Sequence, residues 1–88
     1  MYVRYFAAAR AAAGVEEEQF ELPAGSSVDA LLAAVLDVDR PEPPLGTPPL
    51  ARILSRSSFL LNEVAVRDRS VFLGPDDVVD VLPPFAGG

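Results

Sequence analysis

The 88-residue chain contains no cysteine and no histidine. The first absence excludes a disulfide framework, a thiolate metal site and a cysteine nucleophile. The second removes the commonest general base and metal ligand. Lysine is missing too, and all seven cations are arginines. Apart from its N-terminal amine, the chain can neither accept an isopeptide bond nor form a Schiff base. These absences leave little for an enzyme of the usual kind. No run approaches the ~20 apolar residues of a membrane span. The N-terminus lacks a basic segment leading into an apolar core, so no secretion signal is expected and the expected setting is the cytoplasm. A net charge of −6 argues against nucleic acid as a partner and against anionic membranes.

What is present describes one small folded unit. Half of the residues are hydrophobic, which favours a globule over a disordered chain. A chain of this size buries only about 60–65% of its unfolded surface, enough for a core without staples. Tyr2-Val3-Arg4-Tyr5-Phe6 reads as a strand, with Arg4 outward or at an edge. Residues 7–13 hold six alanines around Arg10, a short helix whose small residues let it lie close to a sheet. Gly14 sits where a helix-ending glycine belongs. Residues 16–22 alternate: Glu18, Phe20 and Leu22 form a mostly apolar face and Glu17, Gln19 and Glu21 a polar one. The glutamate run reads as a solvated strand start.

Ser26 or Ser27 caps the main helix, with Asp29 in its first turn. Val28, Leu31, Leu32, Val35 and Leu36 follow the helical period as one apolar face, and Asp37-Val38-Asp39-Arg40 ends it. Five prolines in residues 41–49 make a surface loop, and residues 50–54 add a short helical turn. Phe59-Leu60-Leu61 is a strand, Asn62-Glu63 a turn into Val64-Ala65-Val66, and Arg67-Asp68-Arg69 a charged connection. Gly74-Pro75-Asp76-Asp77 is a turn. In the last strand, residues 78–82, Val79 and Val81 face the core and Asp80 faces out. This order describes an α+β roll, a mixed four- to five-stranded sheet with one main crossover helix. The first two strands pair antiparallel and the last lies parallel to the first, which is the β-grasp (ubiquitin-like) arrangement. The domain spans residues 1–82, followed by a flexible tail, residues 83–88, that ends in a glycine pair.

Several stretches resemble one family, the molybdopterin synthase small subunits among the ubiquitin-like sulfur carriers. Phe6-Ala7-Ala8-Ala9-Arg10 resembles the family's F-A-x-x-R after the first strand, with Ala11 in place of the usual acid. Ser27-Val28-Asp29-Ala30-Leu31 resembles the start of its crossover helix, and Asn62 sits in its turn after the third strand. Leu73-Gly74-Pro75-Asp76-Asp77-Val78-Val79 resembles L-x-x-G-D-x-V, with Asp76 replacing the glycine at a position where left-handed backbone is expected. Pro83-Pro84-Phe85-Ala86-Gly87-Gly88 matches the P-P-x-x-G-G ending. The early helix separates the chain from the shorter thiamine-pathway carriers.

The resemblance implies a non-catalytic, sulfur-donating subunit. An E1-like partner uses ATP to adenylate the Gly88 carboxylate, sulfur displaces AMP, and the sulfur is carried as a C-terminal thiocarboxylate. The large subunit of molybdopterin synthase, in a heterotetramer, then receives the tail and passes the sulfur to a cyclic pyranopterin. No bound cofactor and no metal is expected in this chain. Gly87 and Gly88, lacking Cβ, suit a tail that threads narrow channels with Ala86, and Pro83 and Pro84 stiffen its base. Phe85 either anchors at a channel mouth or packs on its own domain. Leu82 and Val66 are candidates for an apolar docking patch or for ordinary core. Arg10 either meets a partner carboxylate or is a solvated helix arginine. Two other readings stay open: a carrier for thiamine, cysteine or another sulfur product, and a ubiquitin-like interaction module whose tail is never activated.

Overall fold

The computed structural model describes residues 1–84. In chain order its elements are β1 (Tyr2–Tyr5), α1 (Ala7–Ala13), β2 (Glu17–Gln19), α2 (Val28–Asp37), α3 (Leu50–Arg56), β3 (Ser58–Leu61), β4 (Val64–Ala65) and β5 (Val78–Leu82). They build one mixed sheet in the order β2-β1-β5-β3-β4. β1 runs antiparallel to β2 and parallel to β5, and β5 runs antiparallel to β3. This is the expected β-grasp arrangement, and β5 is its central strand.

Strand alternation divides the sheet into two faces. Val3, Tyr5, Phe59, Val79 and Val81 are buried on the inner face, against Val28, Leu31, Leu32 and Val35 of α2. Ser27 is the residue that caps α2, its Oγ accepting from the Ala30 N–H at 3.1 Å. Ser26 instead donates to the Pro23 carbonyl. Leu36, expected in the apolar stripe, is 47% exposed. At 3.6 residues per turn it lies about 80° round the helix from Val28, past the edge of the buried arc.

α1 ends as expected, with Gly14 at φ 81° and its N–H on the Arg10 carbonyl. Ala9, Ala12 and Ala13 are buried. α3 is longer than the short turn expected over residues 50–54, and it buries Leu50, Ile53 and Leu54. β2 is shorter than the alternation over residues 16–22, although Phe20 and Leu22 still pack against the core. Asp80 lies on the outer face, as expected, yet is only 4% exposed, because β1 and β3 flank it and Arg4 covers it.

Two turns hold the loop end of β5. Asn62 and Glu63, the two residues joining β3 to β4, have φ 49° and 71°, as a type I′ turn requires. Asn62 Oδ1 accepts the Val78 N–H at 2.9 Å, and its amide donates to Asp77 Oδ1 at 2.9 Å. Asp77 Oδ2 accepts the Gly74 N–H at 2.7 Å. That backbone bond, then the Asn62 amide, holds the Asp77 carboxyl below its ordinary range. The turn at Pro75-Asp76 forms without left-handed backbone at Asp76, so losing the family's glycine carries no strain. Glu63 does carry strain, since a side chain at positive φ is disfavoured by about 1 kcal/mol. We expect Glu63→Gly to stabilise the domain by about 1 kcal/mol and to raise Tm by about 4–8 °C. An unchanged or lower melting temperature would count against the type I′ assignment.

Candidate functional site

The site begins where the sheet stops. β5 can continue its ladder only while each residue offers an N–H, and Pro83 and Pro84 offer none. The last pairings are Tyr5 with Val81 on one side and Ser58 with Leu82 on the other. Pro83 is buried and Pro84 exposed. The chain therefore leaves the domain from its central strand, on a base stiffened by two fixed φ angles. Phe85, Ala86, Gly87 and Gly88, the residues expected to carry the chemistry, lie outside the described residues.

A cleft of about 120 Å³ adjoins this exit, lined by Ala8, Pro48, Arg52, Ile53, Arg56, Pro83 and Pro84. Its position follows from packing: α3 lies against α1, and both border the end of β5. The sequence reading did not single out Arg52 or Arg56. Their i, i+4 spacing was visible, but only the fold brings them beside Pro83 and Pro84.

The outer face of the sheet carries a further set of groups. Arg4 donates from Nε to Asp80 Oδ1 at 2.5 Å and from a terminal nitrogen to Oδ2 at 2.8 Å. The hydrogen bond to Asp80, then its charge, raises the Arg4 pKa. Around this pair stand Tyr2, 38% exposed, and the half-buried Leu60, Val78 and Leu82. Leu82 thus sits on an open, mixed apolar and charged face directly before the exit. Val66 does not join it. Its N–H bonds to the Phe59 carbonyl and its side chain packs against the core, on the opposite side of the sheet. Arg10 pairs with Glu16 at 2.6 Å, both well exposed, an intrachain contact of the kind worth about 0–1 kcal/mol.

A second constellation went unseen in the sequence. Glu18 falls on the inner side of β2, and Arg40, after α2, reaches it with contacts of 2.6 and 2.9 Å. Tyr5 Oη donates to Glu18 at 2.7 Å. Glu18 is therefore no solvated strand start. Burial pushes its carboxyl upward, but the Arg40 and Tyr5 hydrogen bonds and the Arg40 charge outweigh burial and leave it below its ordinary range. Glu18 standing among Phe20 and Leu22 on the apolar side of the alternation was the one available signal. This network props β1, β2 and the helices, and lines no route to the tail.

The ThiS family pattern matches residues 3–88, nearly the whole chain. The chain belongs to the ThiS family. It is 34% identical over 88 residues to the molybdopterin synthase sulfur carrier subunit of Chlamydomonas reinhardtii, covering 98% of this chain and 95% of that protein. Among solved structures, SAMP1 from Haloferax volcanii superposes with a TM-score of 0.78 at 20% identity, covering 100% of this chain and 98% of that one, a likeness of fold alone. A Pyrococcus furiosus protein described as molybdopterin converting factor, subunit 1, superposes with a TM-score of 0.71 at 26% identity, covering 96% and 95%. Within the ThiS family the likeness thus extends over the full domain, including the stretch after β5. No helix among the described residues is long and apolar enough to cross a membrane.

Proposed function

We propose that this chain is the sulfur carrier subunit of a molybdopterin synthase and acts in the cytoplasm. The observation that carries the reading is the 34% identity, over nearly the full length of both proteins, to a relative named for that role. The geometry supports it, because the chain leaves the domain from the central strand through a diproline.

The chemistry belongs to the Gly88 carboxylate. A bare carboxylate is a poor electrophile, because its charge repels nucleophiles and oxide is a poor leaving group. An E1-like partner removes both obstacles. A carboxylate oxygen attacks the α-phosphorus of ATP, pyrophosphate leaves, and the acyl adenylate forms. A sulfur nucleophile then attacks the acyl carbon and AMP leaves with the bonding pair, giving the thiocarboxylate. Inside the large subunit of the synthase, that sulfur attacks a carbon of the cyclic pyranopterin precursor and displaces an oxygen substituent, which leaves with the bonding pair. Water then cleaves the acyl C–S bond, leaving the sulfur on the pterin and returning the carboxylate. Gly87 and Ala86 thread the channel, while Phe85, Leu82 and Arg10 are the proposed partner contacts, Val66 packing against the core instead. Leu82 has the best-placed surface of the described ones, on the open face beside the exit. The carrier is consumed and recharged at each turn, so it is a co-substrate more than a catalyst.

The test is intact mass spectrometry after incubation with the activating enzyme, ATP and a sulfur donor. The expected product is a C-terminal thiocarboxylate, with one oxygen replaced by sulfur. Unmodified protein, under conditions that charge another member of the family, would sink the carrier reading. A carrier for thiamine or cysteine would share this activation. Co-purification of a synthase large subunit assigns the pathway, and its absence alongside a different acceptor enzyme would reassign it.

A further inference from the structure

Arg52 and Arg56 stand four residues apart on α3, and so share one face. Both are exposed. The ion pairs among the described residues engage Arg4, Arg10 and Arg40. Neither Arg52 nor Arg56 has a carboxylate within 4 Å there, although the chain holds 13 acidic residues against seven basic ones. Like charges at this spacing repel, so the pair does not serve the helix. A cation in the last turn complements the helix dipole, which accounts for Arg56 but not for Arg52. The two side chains form, with Ile53, Ala8 and Pro48, the wall of the cleft against Pro83 and Pro84. A cationic edge with an apolar floor thus marks the point where the tail departs, on a molecule whose net charge is −6.

We infer that Arg52 and Arg56 dock the carrier, tail first, onto an acidic surface bordering the tail channel of the activating enzyme. This rests on the carrier reading above and names a contact within it. The sign of the pair fixes the chemistry of the partner surface: carboxylates set close to the channel mouth. Of the two partners we commit to the activating enzyme, which meets the uncharged tail first; docking on the large subunit instead is an outcome of the test. Exposed rim charges speed encounter and make it salt-sensitive, and add little lasting affinity. The outer sheet face, where Tyr2, Leu60, Val78 and Leu82 offer apolar area, is left for the large subunit.

The experiment follows ATP-dependent thiocarboxylate formation against carrier concentration, at low and at high ionic strength. It compares the full-length chain with Arg52→Glu/Arg56→Glu, Arg52→Lys/Arg56→Lys and, as a control beyond the edge strand, Arg67→Glu. Charge reversal should raise KM about tenfold or more with kcat unchanged, and should abolish the rise of KM with salt. The lysine pair should keep most of the wild-type KM, and Arg67→Glu should behave as wild type. If the reversed pair does not fold, judged by its melting curve, Arg52→Gln/Arg56→Gln reads the same effect at smaller size. An unchanged KM, a fall in kcat alone, or a defect confined to the large-subunit complex overturns the inference. If the wild-type chain is never charged, the carrier reading fails and this falls with it. If the wild type and the reversed pair charge equally, only the docking role fails.

Discussion

A chain from which Gly88 is deleted is expected to deliver no sulfur and to melt at the wild-type temperature. The two halves of this result come from different parts of the molecule. Among the described residues, 1–84, lie the sheet, three helices and a buried core, and β5 ends at Leu82. The deletion removes no residue of that described core. The reacting carboxylate, however, moves to Gly87 and is withdrawn by about 3.3–3.6 Å, the reach of one extended residue. Displacements of about 1 Å at a reacting centre can cost about 10²-fold. A loss of more than 10²-fold, to background, follows for both activation and sulfuration of the pterin. The measurements are thiocarboxylate yield by intact mass, single-turnover pterin sulfuration and a thermal melt. Retained activity within about tenfold would mean that the Gly88 carboxylate is not the reacting group. A fallen Tm would instead give the tail a structural role.

The frame of the fold was legible because its signals are local. Gly14 ended α1, the serine pair opened α2, and the alternation of Val79 and Val81 oriented β5. Antiparallel β1–β2 and parallel β1–β5 pairing followed from element order and came out as expected. What escaped depends on residues far apart in the chain. Asp80 read as an outward residue, but nothing near it in sequence announces Arg4, 76 positions away, as its cover. Glu18 read as part of a charged run for the same reason, its partner Arg40 lying 22 positions on. α3 was underestimated because Pro49 supplies no side-chain cap, so only its buried Leu50, Ile53 and Leu54 mark it. At the site, the terminal motif was readable as chemistry without any structure. The setting of the exit was not, since Arg52, Arg56 and Ala8 come together only through the packing of α3 on α1.

Replacing Arg40 by alanine should damage the domain about as much as truncating a buried core side chain. The side chain is 11% exposed and its guanidinium meets five acceptors. It donates to both Glu18 oxygens, at 2.6 and 2.9 Å, and to Tyr5 Oη at 3.4 Å. It also donates to the carbonyls of Ala13 and Val35, each at 3.1 Å. Those carbonyls lie in the last turns of α1 and α2, where intrahelical partners run out and a cation suits the helix dipole. Alanine leaves Glu18, 20% exposed, with only the Tyr5 hydroxyl. Breaking a buried pair from one side costs about 3–5 kcal/mol, and the partial exposure of Glu18 argues for the lower end, about 3 kcal/mol. In a domain of this size that lowers Tm by about 12–24 °C. The pH dependence gives a second reading. The folded Glu18 carboxyl titrates below its unfolded value of about 4.3. It therefore stabilises the fold above that pH, and the contribution is lost as pH falls through the folded value. Arg40→Ala removes the lowering influence of Arg40 but not the burial, so the deficit of the variant should shrink on acidification. The Tyr5 hydroxyl is pushed up by burial, then by Glu18, so wild-type stability should fall above the unfolded tyrosine pKa of about 10. Thermal melts of both proteins across pH 3–11, about the span of these pKa values, decide the matter. A Tm loss below about 5 °C, or a deficit that widens in acid, would show that the Arg40–Glu18–Tyr5 network does not hold the sheet to its helices.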